Sequence, residues 1–382
     1  TANLLNDDRV LIAGGADDGQ RSLSSCEIYD STERKWELTS PMNVDRQRHT
    51  SDLLSDGRVL VAGGYVGGGH PSLIEHFSGP GNRSYSSTEL FDPVSEEWSP
   101  GPSLITGRFW HRSVQLQNGD ILVVGGMNIT DGVLASCEIL RAGSNQWIEA
   151  SILNTPRARC TISLLSDGRV LITGGHEGAY KIPLASCEIY DPVSDDWEFT
   201  SPMSKGRGYH AGVLLKDSRY LVSGGFSSPT TVDWQDAEIF DPSKGTWTIT
   251  GEMSQPRHNH LLIEVSDGNV IMVGGSNCFT GGCHSTMEFY DPLTGIWEET
   301  YQILVGRKWN TGTVLRDGSV LIVGGRSCGE PTSMIELFIP PSVEREDIGM
   351  EANSVFMIVI VCLLITLILV MGIHHWRMKK WE

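Results

Sequence analysis

A pair of glycines that closes an apolar run recurs along this chain at nearly constant intervals. The stretch DGRVLVAGG, from Asp56 to Gly64, shows the pattern of a turn, alternating apolar residues and the glycine pair. The first glycines of the pairs are Gly14, Gly63, Gly125, Gly174, Gly224, Gly274 and Gly324. Because self-similarity at a period of about 50 residues is the signature of a repeat architecture, the chain is predicted to contain seven equivalent units.

Each unit carries further landmarks at fixed distances from its glycine pair. A strand, an Asp-Pro turn and a tryptophan follow, as in CEIYDPVSDDW from Cys187 to Trp197. An Arg-x-x-His motif, another apolar strand and an Asp-Gly turn then lead to the next pair. Proline and aspartate favour tight turns, and Asp-Gly between apolar runs is a hairpin signal. Each unit is therefore predicted to be four short antiparallel strands, and a closed ring of such units would cover their apolar faces.

The glycine pair, the Tyr-Asp-Pro turn, the spaced tryptophan and the Arg-x-x-His strand together resemble kelch repeats, over about residues 1 to 340. The resemblance implies an all-β fold, a seven-bladed kelch-type β-propeller of four-stranded antiparallel blades, which we assign to residues 1–338. Kelch propellers mostly bind other proteins. One branch, similar to galactose oxidase, is enzymatic, so the resemblance by itself does not decide the function.

The two ends of the repeat region lack complementary pieces of a unit. The chain begins at Thr1 inside a first strand, and the segment MIELFIP supplies the third strand of the seventh unit with no tryptophan-bearing strand after it. We therefore expect the last blade to be incomplete. We also expect the sequence to be an N-terminally truncated fragment, whose upstream segment supplies the missing strand.

The last forty residues differ in kind from the repeats. Residues 355–373, VFMIVIVCLLITLILVMGI, contain no charged side chain. A helix of this length is about 29 Å long, close to the thickness of the bilayer core. The pattern predicts a single transmembrane helix, preceded by an acidic juxtamembrane stalk at 339–354 and followed by a short basic tail at 374–382.

Charge on either side of the apolar segment predicts its orientation. The tail contains Arg377, Lys379 and Lys380, whereas four acidic residues and one arginine precede the segment in the stalk. The positive-inside rule then places the C-terminus in the cytoplasm and the propeller on the extracellular or lumenal side. Because few residues follow the segment, a tail-anchored protein with a cytosolic propeller stays open as the alternative.

The overall charge limits the partners of the protein. The formal net charge is -18, whereas proteins that bind nucleic acid concentrate lysine and arginine against the phosphates. We therefore expect no nucleic-acid partner. The expected partners are a protein or glycan ligand, and the lipid bilayer around the transmembrane helix.

Two features would suit an oxidising and glycosylating compartment. Cys278 and Cys283, in the loop NCFTGGC, are close enough in sequence for a disulfide, although free thiols and a zinc site with His284 stay open. No second pair of ligands follows at a spacing that favours zinc, so no metal site is expected. Asn82 and Asn128 begin N-glycosylation sequons.

Strand order predicts which end of the ring varies. In an up-and-down unit, the loop after each glycine pair and the segment entering each Arg-x-x-His motif lie at the same end, here named the loop face. Every long insertion, both sequons and the cysteine loop fall there, whereas the other end, the turn face, has short uniform turns. The chain leaves its last strand at the turn face, so the loop face is expected to point away from the membrane.

First strands line the central channel in this fold, so the Arg-x-x-His motifs should lie at the channel mouth. The candidate binding residues there are Arg108, Trp110, His111, Arg207, Tyr209, His210, His258, His260, Arg307 and Trp309. A residue type that recurs in every unit serves the unit, and this interpretation is favoured for the arginines and histidines. The non-repeating Trp110, Tyr209, His258 and Trp309 are the stronger candidates for specificity.

An enzymatic alternative starts from Tyr209-His210 and His260, which are similar to the copper-binding Tyr-His arrangement of galactose oxidase. That resemblance would imply a copper radical oxidase. The family also requires a tyrosine crosslinked to cysteine, another axial tyrosine and a histidine from an added domain, and no such set is found. Hydrolase and phosphate-binding motifs are missing too. We therefore expect no enzyme and no cofactor, and predict a membrane-anchored binding module.

Overall fold

The computed structural model describes eight segments of the chain: 1–17, 21–67, 82–178, 182–227, 233–277, 281–328, 332–341 and 343. The chain divides into two units, residues 1–340 and 341–382, and every described strand belongs to the first. Among the described residues there is no helix with the length and apolar character needed to cross a bilayer. The predicted transmembrane segment 355–373 and the tail 374–382 lie outside them.

The first three repeats form three sheets and two short hairpins. The first repeat contains β1 (Ala2–Leu4), β2 (Arg9–Ala16), β3 (Ser22–Asp30) and β4 (Lys35–Thr39). The second contains β5 (Thr50–Leu53), β6 (Val59–Ala62), the hairpin β7 (Tyr65–Val66) and β8 (Arg83–Ser84), β9 (Thr88–Asp92) and β10 (Glu97–Pro100). The third contains β11 (Arg112–Gln115), β12 (Ile121–Val124), the hairpin β13 (Met127–Asn128) and β14 (Gly132–Val133), β15 (Cys137–Leu140) and β16 (Trp147–Ala150).

The remaining repeats follow the same order of strands. The fourth contains β17 (Thr161–Leu164), β18 (Val170–Thr173), β19 (Cys187–Asp191) and β20 (Asp196–Thr200). The fifth contains β21 (Ala211–Leu214), β22 (Tyr220–Ser223), β23 (Asp236–Asp241) and β24 (Thr246–Glu252). The sixth contains β25 (Leu261–Glu264), β26 (Val270–Val273), β27 (Thr286–Asp291) and β28 (Ile296–Gln302), and the seventh β29 (Thr311–Val314), β30 (Val320–Val323) and β31 (Ile335–Phe338).

Each repeat is one antiparallel blade whose strands pair in chain order. In the described part of the chain, six blades have four strands and the seventh has three, β29, β30 and β31. The inner strands contact one another in sequence around the ring, and β29 lies beside β1. Arg316 of the last blade also pairs with Asp8 of the first. The prediction of seven blades with an incomplete seventh is confirmed.

The second strand of each blade explains why the sequence reads as short apolar runs. In the second to sixth blades all residues of this strand are buried, because neighbouring blades cover both of its faces, as for the run Val170–Thr173. Within one core cluster, Val170 and Ile172 of the fourth blade pack with Leu122 and Val124 of the third. Burying such side chains contributes roughly 1.5–3 kcal/mol each, so the ring is held mainly between blades.

The glycine pair permits a close approach between neighbouring blades. Gly174 has φ of +59°, and a Cβ there would lie 2.5 Å from the backbone oxygen of Arg207. The N–H of Gly175 donates to that same oxygen at 2.9 Å. The crowding that requires glycine therefore comes from the backbone of the next Arg-x-x-His motif.

The spaced tryptophans form a second link between blades. Trp197 packs against Tyr190 within its own blade, with ring centroids 5.1 Å apart. Its indole Nε1 donates to the backbone oxygen of Ser151 in the preceding blade at 3.1 Å. Equivalent bonds to the preceding blade are made by Trp98, Trp147, Trp247 and Trp297.

The arginine of the Arg-x-x-His motif is fully buried and pairs with a glutamate of the third strand. Arg157 Nη2 donates to Glu188 Oε1 at 2.5 Å, and its Nη1 donates to the backbone oxygens of Gly174 and Ser186. Glu188 also accepts the backbone N–H groups of Asn154 and Thr155. The pair therefore joins the linker, the glycine pair and the third strand of one blade.

Removing one charge from this pair should strongly destabilise the protein. Glu188→Gln leaves the buried guanidinium of Arg157 without its counter-charge, and we expect a loss of about 3 kcal/mol or more in the free energy of unfolding. The matched control is Asp167→Asn, which breaks the exposed pair with Arg169 and should cost less than about 1 kcal/mol. Denaturant unfolding of the purified variants measures both, and equal losses would contradict this account.

Candidate functional site

The loop face is assembled from two kinds of segment that pair with each other. The residue after each Arg of the motif forms an antiparallel bridge with the residue after a glycine pair. The pairs are Gln47 with Tyr65, Phe109 with Met127, Ala158 with His176, Gly208 with Phe226, His258 with Ser276, and Lys308 with Arg326. The prediction that these two loop classes lie at one end of the ring is confirmed.

The repeated arginines among the candidate binding residues are inside the blades. Arg108, Arg207 and Arg307 are fully buried and pair with Glu138, Glu238 and Glu336, respectively. Their guanidinium groups are surrounded by carboxylate and backbone oxygens and cannot reach a ligand at the surface. These arginines serve the fold, and the binding surface has to be built from other residues.

The repeated histidines are also buried and contact hydroxyl groups of the preceding blade. His111 Nε2 lies 3.0 Å from the hydroxyl of Thr50, and His260 Nε2 lies 2.8 Å from that of Ser223. His210 Nε2 lies 3.0 Å from Thr161 Oγ1. Burial lowers the pKa of His210 to about 3, because the charged form would lose its hydration. These rings are neutral structural groups rather than surface ligands.

Six residues around the channel mouth share an unusual backbone conformation. They are the third residues of the motifs, Arg48, Trp110, Arg159, Tyr209, Asn259 and Trp309, here named the rim. Their φ angles lie between +52° and +59°, in the left-handed region that non-glycine residues seldom adopt. The N–H of each of the last five donates to the backbone oxygen of the rim residue before it, at 2.9–3.4 Å. The rim is therefore a hydrogen-bonded arc that runs from blade to blade.

Cationic and aromatic side chains alternate along one part of the rim. The guanidinium carbons of Arg48 and Arg159 lie over the Trp110 ring, 4.4 Å and 3.8 Å from its centroid. Arg159 also lies 4.8 Å from the centroid of Tyr209. The pKa of Arg48 is lowered to about 10, mainly because burial removes hydration from the guanidinium, with a smaller contribution from the nearby positive charge of Arg159. Cation–π contacts hold these cations in place at the channel mouth.

The remaining specificity candidates have different environments. Trp309 is 43% exposed, and the ammonium of Lys308 lies 4.8 Å from the centroid of its ring. Tyr209 is half-buried and stacks on Phe226, with centroids 5.3 Å apart. His258 is buried beneath this layer. Trp309 is thus the most accessible aromatic group of the rim.

The structure corrects the expected disulfide. Cys283 is bonded to Cys328, with Cα atoms 5.4 Å apart, rather than to Cys278, which lies outside the described residues. The pairing arises because the loops after the sixth and seventh glycine pairs are neighbours on the loop face, whereas sequence proximity favoured a bond within one loop. The bond joins the loop of the three-stranded blade to that of the sixth.

A copper site does not assemble from Tyr209, His210 and His260. The two histidines make their hydrogen bonds inside different blades, to Thr161 and to Ser223. Tyr209 instead packs on Phe226 at the surface of the ring. Among the described residues, no group of three or more histidine, cysteine, aspartate or glutamate side chains is arranged to hold a metal ion. The residues present do not fit the copper of an oxidase.

The two sequons lie on the loop face as predicted from strand order. Asn128 is partly buried in the hairpin of β13 and β14, and its side-chain nitrogen donates to the backbone oxygen of Gly107 at 2.6 Å. The side-chain oxygen of Asn128 accepts the N–H of Thr130. Because a glycan would attach to the nitrogen that bonds to Gly107, glycosylation of Asn128 would disrupt this hydrogen bond.

The candidate binding residues predicted from the sequence do not include Arg48 and Arg159. The candidates from the first position of the motif were Arg108, Arg207 and Arg307, which the structure buries. The signal that could have found Arg48 and Arg159 is their register, because both occupy the same third position as Trp110, Tyr209 and Trp309. Positions that vary between repeats are free to carry function.

Comparisons with known proteins agree with the fold described above. Residues 77–275, more than half of the chain, match the family described as the KLHDC2/KLHL20/DRC7 Kelch-repeats domain, and residues 5–43 match the Kelch motif. The structure is similar to that of a fungal alcohol oxidase of the AA5 family in complex with copper. The TM-score is 0.72 at 17% identity, covering 92% of this chain and 76% of that one, a level that shows the fold alone. No match was found among curated proteins.

Protonation of the buried histidines should make stability depend on pH. The pKa of His210 is about 3 in the folded protein, against about 6.5 when unfolded, so the unfolded state binds the proton first as pH falls. Stability from this group is complete above pH 6.5 and decreases as pH falls toward 3. His210 alone should account for about 2–3 kcal/mol between pH 7 and 4.5.

Denaturant unfolding at several pH values measures the effect. The variant His210→Gln keeps a polar group beside Thr161 but removes the titrating imidazole. Its free energy of unfolding should therefore fall less steeply with decreasing pH than that of the unsubstituted protein. Identical slopes for the two proteins would contradict the assignment of a buried, neutral His210.

Proposed function

The chain belongs to the kelch-repeat family, and from that premise we propose that it is a non-enzymatic, membrane-anchored propeller that binds a protein or glycan ligand through the rim on its loop face. The observation that carries the proposal is the alternation of cationic and aromatic side chains on the left-handed arc, with Arg48, Trp110, Arg159 and Tyr209 in consecutive contact. Aromatic and arginine side chains held in fixed positions are the usual anchors of binding surfaces.

The chemistry of the rim favours ligands that carry both negative charge and a flat or apolar surface. Guanidinium groups bind carboxylates with paired hydrogen bonds. Arg159 is 8% exposed, so the partly buried Arg48 is the cation of this pair that a ligand can reach, and its contact with Trp110 limits the entropy lost on binding. The open part of Trp309 offers a surface for a sugar ring or an apolar side chain. An acidic segment of a protein and an acidic glycan both meet these requirements.

Two arguments support an extracellular or lumenal location for the propeller. The Cys283–Cys328 bond is of a kind that persists in oxidising compartments and is rare in the cytosol. The charge asymmetry around residues 355–373 favours a cytoplasmic tail. The alternative is a tail-anchored cytosolic kelch scaffold, in which the two cysteines would be reduced.

A galactose-oxidase-like copper oxidase is the less favoured alternative. This alternative is based on the similarity in fold to the fungal alcohol oxidase. At 17% identity, that similarity gives no information about the activity of this chain. His210 and His260 are engaged with hydroxyl groups in separate blades, and this argues against the ligand set that the alternative needs.

Substitutions in the rim should weaken ligand binding without unfolding the protein. Trp110→Ala, Tyr209→Ala and Trp309→Ala are each expected to lower affinity by about 30-fold or more if the residue is an anchor worth about 2 kcal/mol. Binding is measured with the full chain in detergent micelles against an array of neutral and acidic glycans and a panel of acidic peptides. Thermal melting of each variant separates lost binding from lost folding.

The matched control for the rim variants is Val193→Ser. Val193 lies in an Asp-Pro turn on the turn face and is 95% exposed, so its replacement should leave both binding and melting unchanged. If the rim variants fold and bind normally while Val193→Ser loses the ligand, the loop face is not the working surface.

Topology is tested by protease protection in sealed microsomes, using protein expressed from its full-length transcript. A lumenal propeller is protected from added protease, and its N-linked glycan gives a glycosidase-sensitive mass shift that the double variant Asn82→Gln/Asn128→Gln removes. The two single variants show which asparagine carries the glycan. Digestion of the propeller in sealed microsomes would favour the tail-anchored scaffold.

A further inference from the structure

Three side chains beneath the rim form a chain of short hydrogen bonds. Asp233 Oδ1 lies 2.8 Å from His258 Nδ1, and His258 Nε2 lies 3.0 Å from the hydroxyl oxygen of Ser276. All three residues are buried, with exposed fractions of 5%, 7% and 3%. They come from the loop of the fifth blade, the linker into the sixth and the loop of the sixth, so only the folded ring brings them together.

The geometry determines how protons are arranged along this chain. A carboxylate oxygen can only accept a hydrogen bond, so the bond with Asp233 requires a proton on His258 Nδ1. In the neutral ring the other nitrogen, Nε2, is then an acceptor, and the Ser276 hydroxyl donates to it. A hydroxyl bonded to an imidazole that is oriented by a carboxylate is the arrangement that activates serine as a nucleophile.

The three residues do not belong to the repeated framework of the blades. The position of His258 is occupied in the other described motifs by Gln47, Phe109, Ala158, Gly208 and Lys308. The position of Ser276 is occupied in the other described repeats by Tyr65, Met127, His176, Phe226 and Arg326. Five other blade junctions therefore form without this set of side chains, and closing the ring does not require it.

We propose that Ser276 is an activated nucleophile that reacts with small, apolar esters and related electrophiles, with His258 as general base and Asp233 as the residue that positions it. Ligand binding at the rim needs no catalysis, whereas this reaction is a second and independent property of the chain, and it revises the non-enzymatic description given above. The preference for an apolar substrate follows from the surroundings, because the rings of Phe226 and Tyr209 lie 5.6 Å and 6.3 Å from His258.

The reaction balances with an ester and water alone. Ser276 Oγ forms a bond to the carbonyl carbon while its proton passes to His258 Nε2. The bond from carbon to the alcohol oxygen breaks, the alcohol leaves with the electron pair, and it takes the proton from His258. Water then attacks the acyl group on Ser276 by the same route, releasing the carboxylic acid and restoring the hydroxyl.

The backbone around Ser276 limits the rate that this site can reach. The N–H groups of Ser276 and Asn277 already donate to the backbone oxygens of His258 and Gly282. They are therefore not available to stabilise the oxyanion that forms during acyl transfer, a contribution of about 100-fold or more in hydrolases. Together with the small exposed fraction of Ser276, this favours slow acylation of activated esters over rapid turnover.

The chain supplies its own matched control for serine reactivity. Ser223 Oγ lies 2.8 Å from His260 Nε2, so its contact with imidazole is at least as short as that of Ser276. The other nitrogen of that ring, Nδ1, has no hydrogen-bond partner among the described residues. Ser223 is thus paired with an imidazole that no carboxylate positions, whereas Ser276 is paired with an imidazole that Asp233 positions.

A fluorophosphonate probe with a short alkyl chain tests the proposal on the folded full chain in detergent. The Ser276 oxygen should displace fluoride from phosphorus, and mass spectrometry of the digested protein should find the adduct on Ser276 and not on Ser223. Heat-denatured protein should remain unlabelled, because the three residues separate on unfolding. An unmodified Ser276 in folded protein, or equal labelling of Ser223, overturns the proposal.

Variants test the roles of the other two residues. His258→Gln should slow labelling by about 100-fold or more, the usual contribution of a general base. Asp233→Asn should lose labelling near neutral pH and recover it only at high pH, where hydroxide replaces the imidazole, and Asp233→Glu should restore part of the neutral rate. Thermal melts confirm folding, and an Asp233→Asn variant with the original rate and pH profile contradicts the assignment.

Discussion

The buried pairing of a linker arginine with a third-strand glutamate is the interaction on which this structure depends. In the fourth blade, the guanidinium of Arg157 binds Glu188 and two backbone oxygens, while its own backbone oxygen accepts the N–H of Gly126 in the preceding blade. One residue therefore joins three parts of its own blade and a neighbour. Because an unpaired buried charge costs several kcal/mol, the linker has little freedom to shift.

That constraint also sets the geometry of the loop face. Each rim residue lies two positions after one of these arginines, so the buried arginine fixes the position of the rim residue. The left-handed conformation of residues such as Trp110 and Tyr209 costs about 1 kcal/mol or more, and the hydrogen bonds along the arc compensate for it. The rim is consequently a rigid surface, and cation–π contacts hold its long arginine side chains in place.

The repeated positions of the motif serve folding, whereas the varied positions carry the candidate functional residues. Arginine and histidine recur and are buried, where they hold neighbouring blades together. The residues between them differ from one repeat to the next, and they include the rim as well as His258. The contrast between the Ser276–His258 and Ser223–His260 pairs shows the consequence, because only the first has a carboxylate on the far side of the imidazole.

The number of blades, the order of their strands, the incomplete seventh blade and the end at which the variable loops lie could all be predicted from the amino-acid sequence. These features follow from turns and apolar periods within about 50 residues, where local chemistry is sufficient. Sequence reasoning could not determine whether a repeated arginine points inward or outward, since its partner Glu188 comes 31 residues after Arg157. Only the tertiary structure paired Cys283 with Cys328 across 45 residues, stacked Arg48 and Arg159 on Trp110, and joined Asp233, His258 and Ser276, because these contacts depend on how neighbouring blades pack around the ring.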